Sequence, residues 1–160
     1  MKVVLSVSQR QMRTYFCGAI LTRLQHKVYE RKIKMANQAI HTEKAPAAIG
    51  PYSQAVRAGN TVYVSGQIPI NPAAGEFAGE DIASQTRQSL TNIRNILNES
   101  GLEMKNVVKT TVLLADIADF AAMNAVYAEF FEAPYPARAA FQAAALPKGA
   151  KVEIEAVAVQ

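Results

Sequence analysis

The sequence predicts an α+β fold in which two helices pack on one face of a single β-sheet. Two segments, 82–98 and 120–131, space their apolar residues at a helical period, and five shorter segments are β-branched, aromatic or alternating. They follow one another as β-β-α-β-α-β-β, an order that suits helices layered against one sheet. Half of the 160 residues are hydrophobic and 19% are charged, a composition that gives a chain of this length one buried core rather than disorder.

Taken in order, Pro46 to Pro51 is a stiff, non-helical entry, because its two prolines fix φ. Tyr52 to Ala58 alternates weakly and Thr61 to Gln67 is rich in β-branched and aromatic residues. Gly59-Asn60 between them tolerates the positive φ of a two-residue hairpin turn. After a loop marked by Asn71-Pro72 and Gly75, Asp81 is placed to cap a helix running to about Asn98, with Ile82, Leu90, Ile93 and Leu97 in phase and Gly101 at its end. Val107 to Leu114 has apolar residues on both parities, which predicts a strand buried on both faces. Asp116 and Asp119 then start a second helix that turns Phe120, Met123, Tyr127, Phe130 and Phe131 toward the core and stops at Pro134 and Pro136. Two strands close the chain, Arg138 to about Ala145 and Lys151 to Val159, joined by Leu146-Pro147-Lys148-Gly149. Such a sheet has one face uncovered by its own helices, and self-association is the natural cover.

Charge divides the chain. Met1 to Lys34 holds eight basic residues and one acid, a net +7, whereas Met35 to Gln160 holds nine basic and twelve acidic residues, a net −3. Domain reasoning therefore separates a basic N-terminal extension, residues 1–34, from a body at 35–160. The extension resembles an organellar transit peptide in its Arg and Lys content and scarcity of acids; it is alternatively an upstream translation ahead of a true start at Met35, or a basic arm toward RNA or a membrane surface. Cytoplasmic location is expected, mitochondrial if the extension is a transit peptide. No apolar run reaches the roughly eighteen residues of a membrane span, so a soluble protein without a membrane partner is expected. The single cysteine, Cys17, rules out an intramolecular disulfide framework. His26 and His41 lie apart from any ligand cluster, so neither metal nor cofactor is expected.

The body carries no phosphate-binding glycine loop, Ser-His-Asp set or HExxH. Its unusual charge is Arg138, the only charged residue between Ala133 and Pro147. A guanidinium there calls for a planar anion, either a structural carboxylate such as Glu153 or Glu155 or a bound one.

Gly50-Pro51-Tyr52-Ser53-Gln54-Ala55, Val64-Ser65-Gly66-Gln67-Ile68, Val108-Lys109-Thr110-Thr111-Val112, Pro136-Ala137-Arg138 and Val152-Glu153-Ile154-Glu155-Ala156 stand in an order and spacing that resemble the RidA (YjgF/YER057c/UK114) family from about Ala39 to Gln160. The resemblance implies a chorismate-mutase-like fold, one mixed sheet with two helices, assembled as a homotrimer with the sheets forming an inner barrel and clefts between subunits. It implies hydrolysis of reactive 2-imino acids or their enamines, such as 2-aminoacrylate from pyridoxal-phosphate enzymes, to 2-keto acids and ammonia, without cofactor or metal. Carried over by position, Arg138 clamps the substrate carboxylate, Glu153 positions or activates water, and Tyr52, Ser65, Gly66, Asn124 and the main chain at Ala140 line the pocket. Ala140 stands where some members have cysteine and Ala139 where many have serine, so a thiol mechanism is closed to this chain and substrate preference is open. Members have also been described as endoribonucleases or translation inhibitors, but a body of net charge −3 lacks the electrostatic pull for phosphate. A non-catalytic carboxylate-binding trimer is the third reading.

Overall fold

The computed structural model describes residues 37–160; the expectations for Met1 to Lys34, with Cys17 and His26, lie outside the described residues. Six strands form one sheet: β1 (Gln38–Ile40), β2 (Ala55–Ala58), β3 (Thr61–Gln67), β4 (Val107–Leu114), β5 (Ala137–Gln142) and β6 (Val152–Val159). Among the described residues, two helices, α1 (Ile82–Glu99) and α2 (Phe120–Ala128), and single 3₁₀ turns complete the regular elements. The spatial order is β1-β2-β3-β6-β4-β5. Every neighbouring pair is antiparallel except β4 with β5, which makes the sheet mixed.

Local chemistry sets most of the boundaries. Asp81 accepts a hydrogen bond from the Ser84 N–H at 2.8 Å and opens α1. Those Ser84 hydrogen bonds also hold the Asp81 carboxyl below its usual range. Gly59 at φ +63° makes the hairpin between Ala58 and Thr61. α2 stops at Ala128, ahead of the prolines expected to end it, because its last turn tightens into Glu129 N–H to Val126 and Phe130 N–H to Tyr127 carbonyl bonds. β5 ends at Gln142 rather than Ala145. β1 was not anticipated: three residues are too few to show a period, and only pairing of Ala39 with Val56 makes them a strand.

The core lies between the helices and one face of the sheet. Leu90, Ile93, Ile96 and Leu97 of α1 and Met123 and Tyr127 of α2 are buried with Val62, Val64, Val112, Leu114, Val152, Ile154, Ala156 and Ala158. Burying a side chain of this size is worth about 1.5–3 kcal/mol, and this layer is what holds the sheet and helices together. Phe131 is buried as expected, but Phe120 is 37% exposed and does not join the core.

Among the described residues the opposite face has no cover. The register puts Tyr63 beside Val157, Thr111 beside Glu155 and Ala139, and Leu113 beside Glu153 and Phe141, all on that face. Tyr63 is 52% and Phe141 49% exposed. β4 is therefore not buried on both faces within one chain: Thr110, Val112 and Leu114 are buried, whereas Val108 and Lys109 are exposed. Its second apolar parity points to this open surface. Among the described residues no helix is long and apolar enough to cross a membrane.

Candidate active site

Arg138 lies on the helix side of the sheet. It sits beside Thr110 in the parallel β4–β5 register, and Thr110 in turn pairs with buried Ala156. β5 is an edge strand, so the guanidinium reaches past the sheet border to α2. There Phe120, Asn124 and Tyr127 stand at i, i+4 and i+7, one stripe of the helix. Arg138 Nη1 donates to Asn124 Oδ1 at 2.8 Å. Its Cζ is 4.6 Å from the Tyr127 ring centroid and 5.5 Å from that of Phe120. Among the described residues no carboxylate forms a salt bridge with Arg138, and Glu153 and Glu155 face away from it across the sheet. The structural ion pair considered from sequence is thus absent among the described residues. Ala140, two residues along the same face, packs partly buried against the core.

Glu153 belongs to the open face. Beside it β3 carries a bulge: Val64 pairs with Ala156 but Gln67 with Ile154, so three steps on β3 match two on β6. The extra residue brings Gly66 against Glu153 so closely that a Cβ on Gly66 would stand 2.0 Å from Glu153 Oε1. Burial, and secondarily the charge of Glu155, hold the Glu153 carboxyl above the ordinary range.

Ser65, within the bulge, donates from Oγ to the Ser53 carbonyl at 2.7 Å, and its N–H bonds to the Gln54 carbonyl at 3.0 Å. Its hydroxyl therefore ties β3 to the segment carrying Tyr52. Gln54 pins the preceding loop: its Oε1 accepts from Thr42 N–H at 2.7 Å, and its Nε2 donates to the carbonyls of Thr42, Ala45 and Pro46. Tyr52, half exposed, lines a cleft of about 310 Å³ with Gly66, Ile49 and Ile68. A larger groove, about 550 Å³ beside Arg94, Lys105 and Phe130, contains none of these residues.

One chain thus holds two groups of the anticipated residues: Arg138, Asn124 and Ala140 on the helix side, and Glu153, Gly66, Ser65 and Tyr52 around the open face and its adjoining loop. Phe120, Tyr127, Thr110 and Gln54 join them without having been singled out for the site. The i, i+4, i+7 spacing of Phe120, Asn124 and Tyr127 was a readable sign of a shared stripe, but it reads equally as core. Among the described residues, no three His, Cys, Asp or Glu side chains gather at metal-ligand spacing.

A family profile described as Endoribonuclease L-PSP matches residues 42–160. The chain is 55% identical over 126 residues to a 2-iminobutanoate/2-iminopropanoate deaminase of Capra hircus, covering 79% of this chain and 92% of that one. It is 51% identical over 121 residues to the chloroplastic Reactive Intermediate Deaminase A of Arabidopsis thaliana, covering 76% and 65%. Among solved structures it resembles E. coli TdcF with bound serine, with a TM-score of 0.74 and 46% identity, covering 77% and 98%.

Proposed function

The chain belongs to the endoribonuclease L-PSP family, whose motifs are those of RidA, and from that premise we infer that it is a 2-iminobutanoate/2-iminopropanoate deaminase, a hydrolase of C–N bonds in small 2-imino carboxylates. The observation that carries the reading is Arg138: a guanidinium at a sheet edge, held by an amide and two aromatic rings, with no carboxylate partner among the described residues. The serine bound in TdcF, itself a small amino acid with a carboxylate, supports the ligand class.

Arg138 takes the substrate carboxylate through two parallel N–H···O bonds, which fixes the adjoining imine carbon. Water adds to that carbon as the C=N π pair moves to nitrogen. Glu153 accepts a proton from the water and returns it to the amine. The C–N bond then breaks as the hydroxyl proton passes to nitrogen, the hydroxyl oxygen forms the keto group, and ammonia departs. A carboxyl shifted upward is the stronger base, which suits a group that must both accept and return a proton. Asn124, Tyr52, Ser65, Gly66 and the main chain at Ala140 line the pocket, and an edge strand such as β5 leaves one row of main-chain groups free to bond ligand or water.

Arg138 and Glu153 serve one substrate only if two chains meet. The exposed apolar face with Tyr63 and Phe141 supports that assembly, and the arrangement proposed is a homotrimer whose sheets form an inner barrel with clefts between neighbours. Without import the enzyme is cytoplasmic. Import follows if Met1 to Lys34 is a transit peptide, a possibility that the chloroplastic relative supports.

The test generates 2-iminobutanoate in situ and follows its loss against the spontaneous rate. Acceleration that Arg138→Ala abolishes and Glu153→Gln sharply lowers is expected. Ligand binding without acceleration would leave a carboxylate-binding trimer instead. RNA cleavage, the reading that the family's description favours, is tested in parallel: the net −3 of residues 35–160 and their single histidine, His41, engaged with Glu43 at 2.8 Å, argue against it.

A further inference from the structure

We infer that Tyr127 is the positioning residue of the carboxylate clamp, its ring supporting the Arg138 guanidinium while its hydroxyl is anchored on Thr110. The inference rests on the imine-deaminase reading of the same site.

A guanidinium at the end of a flexible stem forms two parallel bonds to a carboxylate only if its plane is held. An acidic partner would hold it but would compete with the substrate for the same charge. An aromatic ring holds it through dispersion and its quadrupole and leaves the charge free. The Asn124 bond fixes one nitrogen, Nη1, and leaves rotation about that contact. The Tyr127 ring, 4.6 Å from Cζ and nearer than Phe120, restricts that rotation.

The ring is itself packed in place. Tyr127 is 5% exposed and lies 4.5 Å from the Phe131 ring at an interplanar angle of 34°. Its hydroxyl is 2.7 Å from Thr110 Oγ1, and Thr110 is 1% exposed. Thr110 is also the residue directly beside Arg138 in the β4–β5 register. The strand that carries Arg138's neighbour and the helix that carries its support are thereby joined by one buried hydrogen bond. Burial pushes the pKa of the phenol up, which keeps the hydroxyl neutral in the working pH range.

The experiment measures kcat and KM on imine generated in situ, the inhibition constant of pyruvate as a carboxylate probe of the clamp, and thermal unfolding. The variants are Tyr127→Leu, Tyr127→Phe, Thr110→Val and, as a core control on α1, Leu97→Ala. Loss of the ring in Tyr127→Leu raises KM and the pyruvate constant together by about fivefold, the scale of a cation–aromatic contact made by an exposed guanidinium. Tyr127→Phe and Thr110→Val both keep the ring and both lose the hydroxyl–hydroxyl bond, so each raises the two constants by only about twofold. Leu97→Ala lowers the unfolding temperature and leaves both constants unchanged.

A Tyr127→Leu variant that loses stability as Leu97→Ala does, with both constants unchanged, overturns the inference. If Tyr127→Leu does not fold, unchanged constants in Thr110→Val overturn it. Wild-type chain that hydrolyses no imine overturns the deaminase reading and this inference with it; normal wild-type turnover beside unaffected variants overturns the inference alone.

Discussion

Arg138 and Glu153 face opposite sides of the sheet although only β4 separates their strands. Arg138 stands beside Thr110 and Glu153 beside Leu113, and residues three apart on one strand point to opposite faces. If both act on one substrate, each site draws its arginine from one chain and its glutamate from another. Arg138→Ala, inactive alone, and Glu153→Gln, weakly active alone, should then complement when co-expressed. Random mixing in a closed ring leaves about a quarter of the sites with both native groups. A mixture no more active than the separate variants would place both residues in one chain's site or remove one from the chemistry.

Gly66 sets the position of Glu153. A methyl group there would meet Oε1 at 2.0 Å, so Gly66→Ala must push the carboxylate aside. Misplacement on the ångström scale costs about a hundredfold in rate, so kcat should fall by that order with KM little changed. Unaltered kcat would mean that Glu153 does not act from this position.

Arg138→Lys keeps the charge and loses the fork that matches a carboxylate. One charge-assisted bond fewer predicts a loss of roughly tenfold or more in kcat/KM, carried mainly by KM. Steady-state kinetics on the same imine decide it: equal constants for Lys and Arg would show that charge alone suffices.

Glu153 and Asp81 have opposite pH signatures. Burial raises the Glu153 carboxyl, so the native state holds its proton longer than the unfolded chain and stability falls as pH rises from the ordinary carboxylate value through the raised one. Glu153→Gln should therefore unfold at a higher temperature than wild type at pH 7, a gain that vanishes toward pH 4. Asp81 is lowered by its bonds to Ser84, so its contribution is present above the ordinary value and fades as pH falls through the lowered one. Asp81→Ala should lose stability at pH 7 and converge on wild type in acid. Melting curves across pH test both, and a pH-independent difference would contradict the assignment.

Phe141, half exposed on the open face beside Leu113, offers a handle on assembly. Phe141→Asp puts a charge into the proposed contact between chains while leaving the helix-side core untouched. Light scattering should show a smaller species with native circular dichroism and little deaminase activity. A fully active monomer would end the shared-site reading.

Much of the fold was legible because its signals are local. Asp81 three residues before Ser84, Gly59-Asn60 between two β-branched runs and the phase of Leu90, Ile93 and Leu97 each specify structure within one turn or helix. β1 was not legible, since Gln38 to Ile40 become a strand only by meeting β2. Phe120 fits a helix-period core stripe equally well, yet it sits at the exposed end of α2 beside Arg138.

Sequence alone determined the elements, the division of charge between residues 1–34 and 35–160, and the isolation of Arg138 as a lone cation in an apolar stretch, because these depend on residue type and near neighbours. Tertiary structure decided that Arg138 meets Asn124 and Tyr127 and not Glu153, and that a one-residue bulge sets Gly66 against Glu153. Strand periodicity says which residues of one strand share a face. It does not say which face the helices cover, nor how the register of β4 with β5 and β6 aligns one strand's parity with the next.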